Sequence, residues 1–236
     1  YTAAAGRAWK AGFDGIQIHM AHGYLLSQWL SPAFNNRTDA YGGDIENRCR
    51  LHREICGAIR DTVGRDFPLL IKINCEDYIE NGLTRKDALA VVKSLTAGGV
   101  DAVELSGGTI ASGRLSPSRS RINAPEKEAY FREAARIFKE NQDVPLLLVG
   151  GIRSREVAAG LLAKGAADFI SLSRPLIREP GLIRRWEDGD HRPAACISDN
   201  LCFAPAFEGR GIYCVTAERE AARCGKIVDE TAVEIP

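Results

Sequence analysis

"AGGVDAVELS", residues 97–106, recurs in altered form as "AGFDGIQIH" (11–19) and "KGAADFISLS" (164–173). In each copy a helix-compatible segment stops at glycine, a short turn carries an aspartate, and an apolar-rich run follows at once. Such a phrase marks a helix-to-strand joint that the chain uses repeatedly. Outward from it, five runs read as strands: "GFDGIQIH" (12–19), "PLLIKIN" (68–74), "DAVELSGG" (101–108), "PLLLVGG" (145–151) and "DFISLSR" (168–174). Their near-continuous apolar character is that of parallel strands buried on both faces.

Helical stretches lie between them. One is predicted over 45–63, with Leu51, Ile55, Ala58 and Ile59 on one face; others cover 84–99, 124–141 and 154–166. Thr84 three residues before Asp87, Pro125, and Ser154 two before Glu156 supply N-terminal signals. Two α/β architectures use this alternation, the doubly wound sheet and the (β/α)8 TIM barrel. No strand runs into a G-x-G-x-x-G turn, which removes the dinucleotide fingerprint of the first. The barrel is the expectation, with about five C-terminal βα units present (strands four to eight), a leading helix over 1–12, and about three units absent upstream. Residues 1–190 read as the partial barrel and 191–236 as a Cys-containing tail.

Composition narrows the function class. The 236 residues carry 31 basic and 31 acidic side chains, so nothing draws the chain to nucleic acid or to an anionic membrane. No apolar run approaches the roughly 20 residues of a membrane span. Seven scattered cysteines do not form a disulfide framework, and the reducing cytoplasm is the expected compartment. The chain opens at Tyr1 in mid-pattern, which suggests that a segment has been lost upstream.

In a barrel, chemistry gathers at the C-terminal ends of the strands. Here those ends carry His19, then Lys72 and Asn74, then Ser106-Gly107-Gly108, then Gly150-Gly151, and last Ser173-Arg174. The last two fall where barrels commonly bind phosphate, although Gly150-Gly151 could equally make a tight turn and Arg174 a surface ion pair. His19 and His22, with Tyr24 beyond, admit three readings. A zinc site lacks further ligands at a recognised spacing. A lone core histidine would leave its neighbours unexplained. Two imidazole donors on one carbonyl oxygen, with a phenol to supply a proton, account for all three rings.

The string "GFDGIQIHMAHGYLLSQWLSPAFNNRTDAYGGDIENRCR" (12–50) closely resembles the flavin-dependent ene-reductases of the old yellow enzyme family, in the NADH:flavin oxidoreductase and 2,4-dienoyl-CoA reductase-like branch. "IKIN", "VELSGG", "LLLVGGI" and "ADFISLSRPLIREP" extend the likeness to about Pro180. The resemblance implies an FMN-containing TIM barrel that takes electrons from NAD(P)H and reduces an activated C=C bond of a small α,β-unsaturated carbonyl substrate. It implies that His19 and His22 hold the substrate oxygen and Tyr24 donates the proton. Lys72 would stand beside flavin N1 and O2, and Gly150, Gly151, Ser173 and Arg174 would surround the FMN phosphate. Ser173 departs from the glycine commoner there. The polar stretch with Arg37, Asp39, Tyr41 and Arg48 reads as a loop bracing the mouth, turned at Gly42-Gly43 before a helix near Ile45. A basic loop with Arg114, Arg119 and Arg121 either faces an anionic substrate or is plain surface.

Larger relatives carry a 4Fe-4S cluster after the barrel. Here Asp199 interrupts the series Cys196, Cys202 and Cys214, Cys224 is a poor substitute, and ordinary thiols are expected rather than a cluster or another metal. The resemblance leaves a homo-oligomer open. The alternative function is a non-catalytic flavin- or phosphate-binding barrel remnant.

Overall fold

The computed structural model describes residues 1–223. Its five strands, β1 (Ile16–Met20), β2 (Leu69–Asn74), β3 (Ala102–Ser106), β4 (Leu146–Leu148) and β5 (Phe169–Ile170), form one parallel sheet in chain order. Sequential order with every pairing parallel has no switch point, so this is an arc of a (β/α)8 barrel and not a doubly wound sheet. β1 and β5 are its two edges.

Side chains alternate across the arc. Ile18, Met20, Leu69, Ile71, Ile73, Val103, Leu105, Leu146 and Leu148 are buried with Ile59, Val91, Leu95 and Phe138 of the covering helices. Each such side chain contributes about 2 kcal/mol. The intervening positions, Gln17, His19, Lys72, Asn74, Glu104 and Ser106, occupy the opposite, inner face. A polar inner face under an apolar outer one is what turns a structural sheet into a reactive wall.

Eleven α-helices are described: α1 (Thr2–Lys10), α2 (Leu25–Leu30), α3 (Ile45–Arg48), α4 (Arg50–Val63), α5 (Arg85–Ala97), α6 (Arg132–Asn141), α7 (Arg155–Ala163), α8 (Arg174–Arg178), α9 (Leu182–Glu187), α10 (Phe203–Phe207) and α11 (Val215–Arg223). Thr84 caps α5 as its spacing predicts, accepting from Asp87 N at 3.2 Å. Several expectations need correction.

The helix expected over 45–63 breaks at Cys49 into α3 and α4. Arg48 is therefore buried on a short helix, not exposed on a loop; it donates to Gly43 O at 3.0 Å, to Leu30 O and to Asp87 Oδ2 at 3.2 Å. The buried stripe of α4 is His52, Cys56, Ile59 and Val63, with Ala58 exposed. His52 Nε2 lies 2.9 Å from Leu26 O, and Leu51 and Ile55 of the expected stripe pack partly buried against the same core.

Pro125 opens only a 3-10 turn, Pro125–Lys127, and α6 starts at Arg132. Ala129, at φ 49, is left-handed and interrupts the helix. That interruption frees Glu128 to cap α7, accepting from Arg153 N at 2.9 Å, Ser154 N at 3.0 Å and the Ser154 hydroxyl. Ser154 thus sits at the N-cap position without its own side chain capping the helix.

After α9 the chain returns to the barrel mouth. Ala194 N donates to Arg153 O at 2.8 Å, and Arg121 N donates to Ser198 O at 3.1 Å. Among the described residues no helix is long and apolar enough to cross a membrane.

Candidate active site

His19, Lys72 and Glu104 stand in one row across β1, β2 and β3. Lys72 Nζ donates to Glu104 Oε1 at 2.8 Å, and Gln17 Nε2 donates to Glu104 Oε2 at 2.9 Å. Just beyond β1, His22 turns the chain with φ 68, an uncommon conformation for a residue with a Cβ. Its N–H is held at 3.1 Å by Asn74 Oδ1, and Asn74 is in turn oriented by Asp77 at 2.8 Å. Asp77 is itself fully buried and accepts from Leu83 N at 2.9 Å. The turn converges three rings: His19 and His22 have centroids 5.0 Å apart, and His19 and Tyr24 5.3 Å. Tyr24, 55% exposed, stands at the N-cap of α2.

Burial pushes the His22 imidazole down to about 3, with Lys72 and then His19 adding to the effect. His19, exposed on one side, is lowered too, by the partial desolvation of its ring and then by Lys72, with Glu104 opposing. Both rings are therefore neutral near pH 7, and each carries a single N–H. A pair of neutral imidazoles beside a phenol can polarise an oxygen without transferring a proton to it.

The ends of β4 and β5 make a second group. Gly150 has φ 134 and Gly151 φ 70. A Cβ on Gly151 would lie 2.7 Å from Tyr130 Cε1, and one on Gly150 3.0 Å from Phe131 Cδ2, so both positions require glycine. Tyr130 N donates to Gly150 O at 3.1 Å, and its hydroxyl to Pro117 O at 2.7 Å. The Arg119 guanidinium stacks 4.5 Å over the Tyr130 ring. Arg174 is 9% exposed; its Nη1 donates to Arg119 O at 2.9 Å and Asn200 Oδ1 at 2.6 Å. Among the described residues its partners are neutral oxygens and no carboxylate. A buried cation without a counter-charge, in contact with residues that pack on two positive-φ glycines, fits an anionic group such as a phosphate. Ser173 has φ −131, so the turn before α8 does not need the glycine commoner in the resembling family.

The segment after β3 joins the two groups. Thr109 bridges to His22, while a Cβ on Gly107 would meet Phe131 Cε1 at 2.8 Å. Of the other residues singled out from sequence, Arg37 and Asp39 pair on the surface, with Arg37 5.1 Å over the Trp29 ring, and Tyr41 donates to Glu54 at 3.1 Å. These contacts tie the brace to α2 and α4. Arg114, Arg119 and Arg121 line a groove of about 950 Å³ together with Tyr130 and Asn200.

Asp199 accepts from Leu201 N at 3.1 Å and from the Thr216 hydroxyl, and Arg178 Nη1 lies 3.6 Å from Cys214 Sγ. No cluster of three or more metal-ligating side chains occurs among the described residues, and Cys224 lies outside them. Sequence reasoning missed Glu104, Asn200 and Glu128. An acid inside the apolar run "AVELS", two residues before Ser106 on the same face, was a readable signal for the first; the other two act across long sequence separations and left none.

The model of the NADH:flavin oxidoreductase / NADH oxidase family matches residues 1–192. An NADH oxidase of Thermoanaerobacter brockii is 34% identical over 209 residues, covering 85% of this chain and 30% of the relative. An NADPH dehydrogenase of Geobacillus thermodenitrificans is 40% identical over 176 residues, covering 75% of this chain and 48% of its own length. Among solved structures, the old yellow enzyme homologue of Zymomonas mobilis superposes with a TM-score of 0.64 at 26% identity, over 84% of this chain and 53% of that one. The chain thus spans less than half the length of these two curated relatives.

Proposed function

The chain belongs to the NADH:flavin oxidoreductase / NADH oxidase family, and from that membership we propose that it forms the catalytic wall of an FMN-dependent enzyme that uses NAD(P)H to reduce an activated C=C bond in an α,β-unsaturated carbonyl compound. The observation that carries this reading is the convergence of His19, His22 and Tyr24 on the open side of one strand end. Bound FMN would accept hydride from the nicotinamide and supply it to the substrate β-carbon.

The protein's own residues do the rest. His19 and His22, both neutral, donate N–H groups to the carbonyl oxygen and stabilise the negative charge that grows on it as the β-carbon gains hydride. The Tyr24 hydroxyl supplies a proton to the α-carbon, so the product gains one hydride and one proton. Lys72 offers positive charge to the ring end of the cofactor, tempered by Glu104. Gly150, Gly151, Ser173 and Arg174 hold its phosphate, the glycines by close backbone approach and Arg174 by its uncompensated charge.

A second reading, a flavin- or phosphate-binding wall without turnover of its own, is favoured by one feature: Gln17, His19 and Phe169 on the inner face are exposed. Visible spectra after incubation with FMN and desalting, before and after anaerobic NAD(P)H, separate the two. Retained flavin that bleaches with NAD(P)H and regains colour with a cyclic enone supports the reductase; retained flavin that never bleaches supports the second reading; no retained flavin removes both for this chain.

A further inference from the structure

Ser106, the last residue of β3, is 1% exposed, and its Oγ lies 2.7 Å from His22 Nε2. We propose that Ser106 is a positioning residue that donates its hydroxyl proton to His22 Nε2 and so fixes the imidazole in the Nδ1–H tautomer; this deepens the reading of His22 as a donor to substrate oxygen.

A single proton decides which nitrogen faces the substrate. A neutral imidazole carries one N–H, so whichever role Nε2 takes dictates the role of Nδ1. His22 is held neutral, as its strongly lowered pKa supports. If Nε2 kept the proton and gave it to Ser106, Nδ1 would present a lone pair and repel a carbonyl oxygen. If Ser106 gives its proton to Nε2, Nδ1 becomes a donor. Nδ1 has no hydrogen-bond partner among the described residues and is not one of the sealed, unpaired atoms, so it is the nitrogen open to a ligand.

The surroundings hold this arrangement. The His22 backbone is fixed by Asn74 Oδ1 on one side and by the bridge to Thr109 on the other, which restrains the ring's base. Ser106 O is already engaged by Cys75 N at 2.7 Å, so the strand end cannot shift freely. The hydroxyl has no other acceptor among the described residues. Free histidine side chains favour the Nε2–H form, so the proposal demands the opposite of the default.

The test is the 15N spectrum of the histidine-labelled 236-residue chain, with His22 assigned by loss of its signals in His22→Gln. The chain has four histidines, which keeps the spectrum tractable. At pH 7.5 a pyrrole-type Nδ1 and a pyridine-type Nε2 are expected for His22. Ser106→Ala should move the ring toward the Nε2–H form, and Ser106→Thr, which keeps a hydroxyl, should restore the wild-type pattern. A wild-type Nε2–H ring, or an Ala variant with unchanged signals, overturns the proposal. Should the Ala variant fail to fold, the wild-type and Thr spectra still decide. The readout needs neither flavin nor substrate: if the tautomer is as proposed while His22→Ala leaves enone turnover intact, the functional reading fails and the Ser106 lock stands. In the active protein, Ser106→Ala should raise KM for the enone by about threefold to tenfold, with recovery in the Thr variant.

Discussion

Lys72 and Glu104 face each other across β2 and β3, with Nζ 2.8 Å from Oε1, on a face where their neighbours are a histidine and a glutamine. Both side chains are largely withdrawn from solvent, at 21% and 10% exposure. The pair therefore fixes how much positive charge the inner face presents, because the carboxylate offsets the only lysine in that row.

Removing one partner leaves the other charge poorly solvated. Glu104→Gln is expected to destabilise the fold by about 2 kcal/mol, and Lys72→Met by a similar amount, while the double variant Lys72→Met/Glu104→Gln should recover most of the loss. Urea denaturation of the four proteins gives the coupling. Additive losses in the double variant would mean that the pair does not act as a unit.

Two histidines, His52 fully buried and His22 half-buried, set an acid limit. His22 is pushed down to about 3 and His52 to about 4, each mainly by burial. Their unfolded-state value is about 6.5, so below that pH the unfolded chain binds more protons than the folded one. Stability is full above pH 6.5 and falls as pH drops toward 4, with a slope of about 1 kcal/mol per pH unit from each ring once pH is below 6. Denaturation midpoints at pH 7, 6 and 5 measure it, and His52→Gln should remove part of the slope. A flat profile between pH 7 and 5 would contradict the lowering of both rings.

The βα repeat was legible because each strand is apolar enough to be buried and three of the helix–strand joints carry the same glycine–aspartate phrase. Asp101 and Asp168 show why the phrase recurs: each accepts the first N–H of the neighbouring strand, Leu69 N at 2.8 Å and Leu146 N at 2.7 Å. His19, His22 and Tyr24 were legible because three polar rings at a strand end have no packing purpose. What periodicity could not show was long-range pairing. His52 is buried against a carbonyl of α2, and left-handed Ala129 delays α6 and leaves Glu128 to cap α7. Such contacts depend on three-dimensional neighbours that no local pattern encodes.

Arg174 should govern cofactor affinity through its charge. Arg174→Met is expected to weaken FMN binding by about 10- to 100-fold, as loss of a charge-assisted contact does. Asn200→Ala, which removes the acceptor 2.6 Å from Nη1, should weaken it less, by loosening the guanidinium. Quenching of flavin fluorescence in a titration reads both. Equal affinities for wild type and Arg174→Met would remove this arginine from the phosphate site.

Glu128 links the stability of α7 to the same cradle. Its carboxylate, 2% exposed, takes the N–H groups of Arg153 and Ser154 and the Ser154 hydroxyl, just ahead of the first turn, where the helix dipole favours a negative charge. Glu128→Ala leaves those donors buried without an acceptor and should cost about 2 to 3 kcal/mol, whereas Glu128→Gln, which keeps one acceptor oxygen, should cost about 1 kcal/mol. Arg153 follows Gly151 by two residues, so the loss should also spread to the glycine turn and weaken FMN binding without touching any group that contacts the cofactor. Denaturation and flavin titration of the two variants test both effects. If the Ala variant unfolds at the wild-type urea concentration, the cap is not structural; if it is destabilised but binds flavin with wild-type affinity, the glycine turn holds its shape without help from α7.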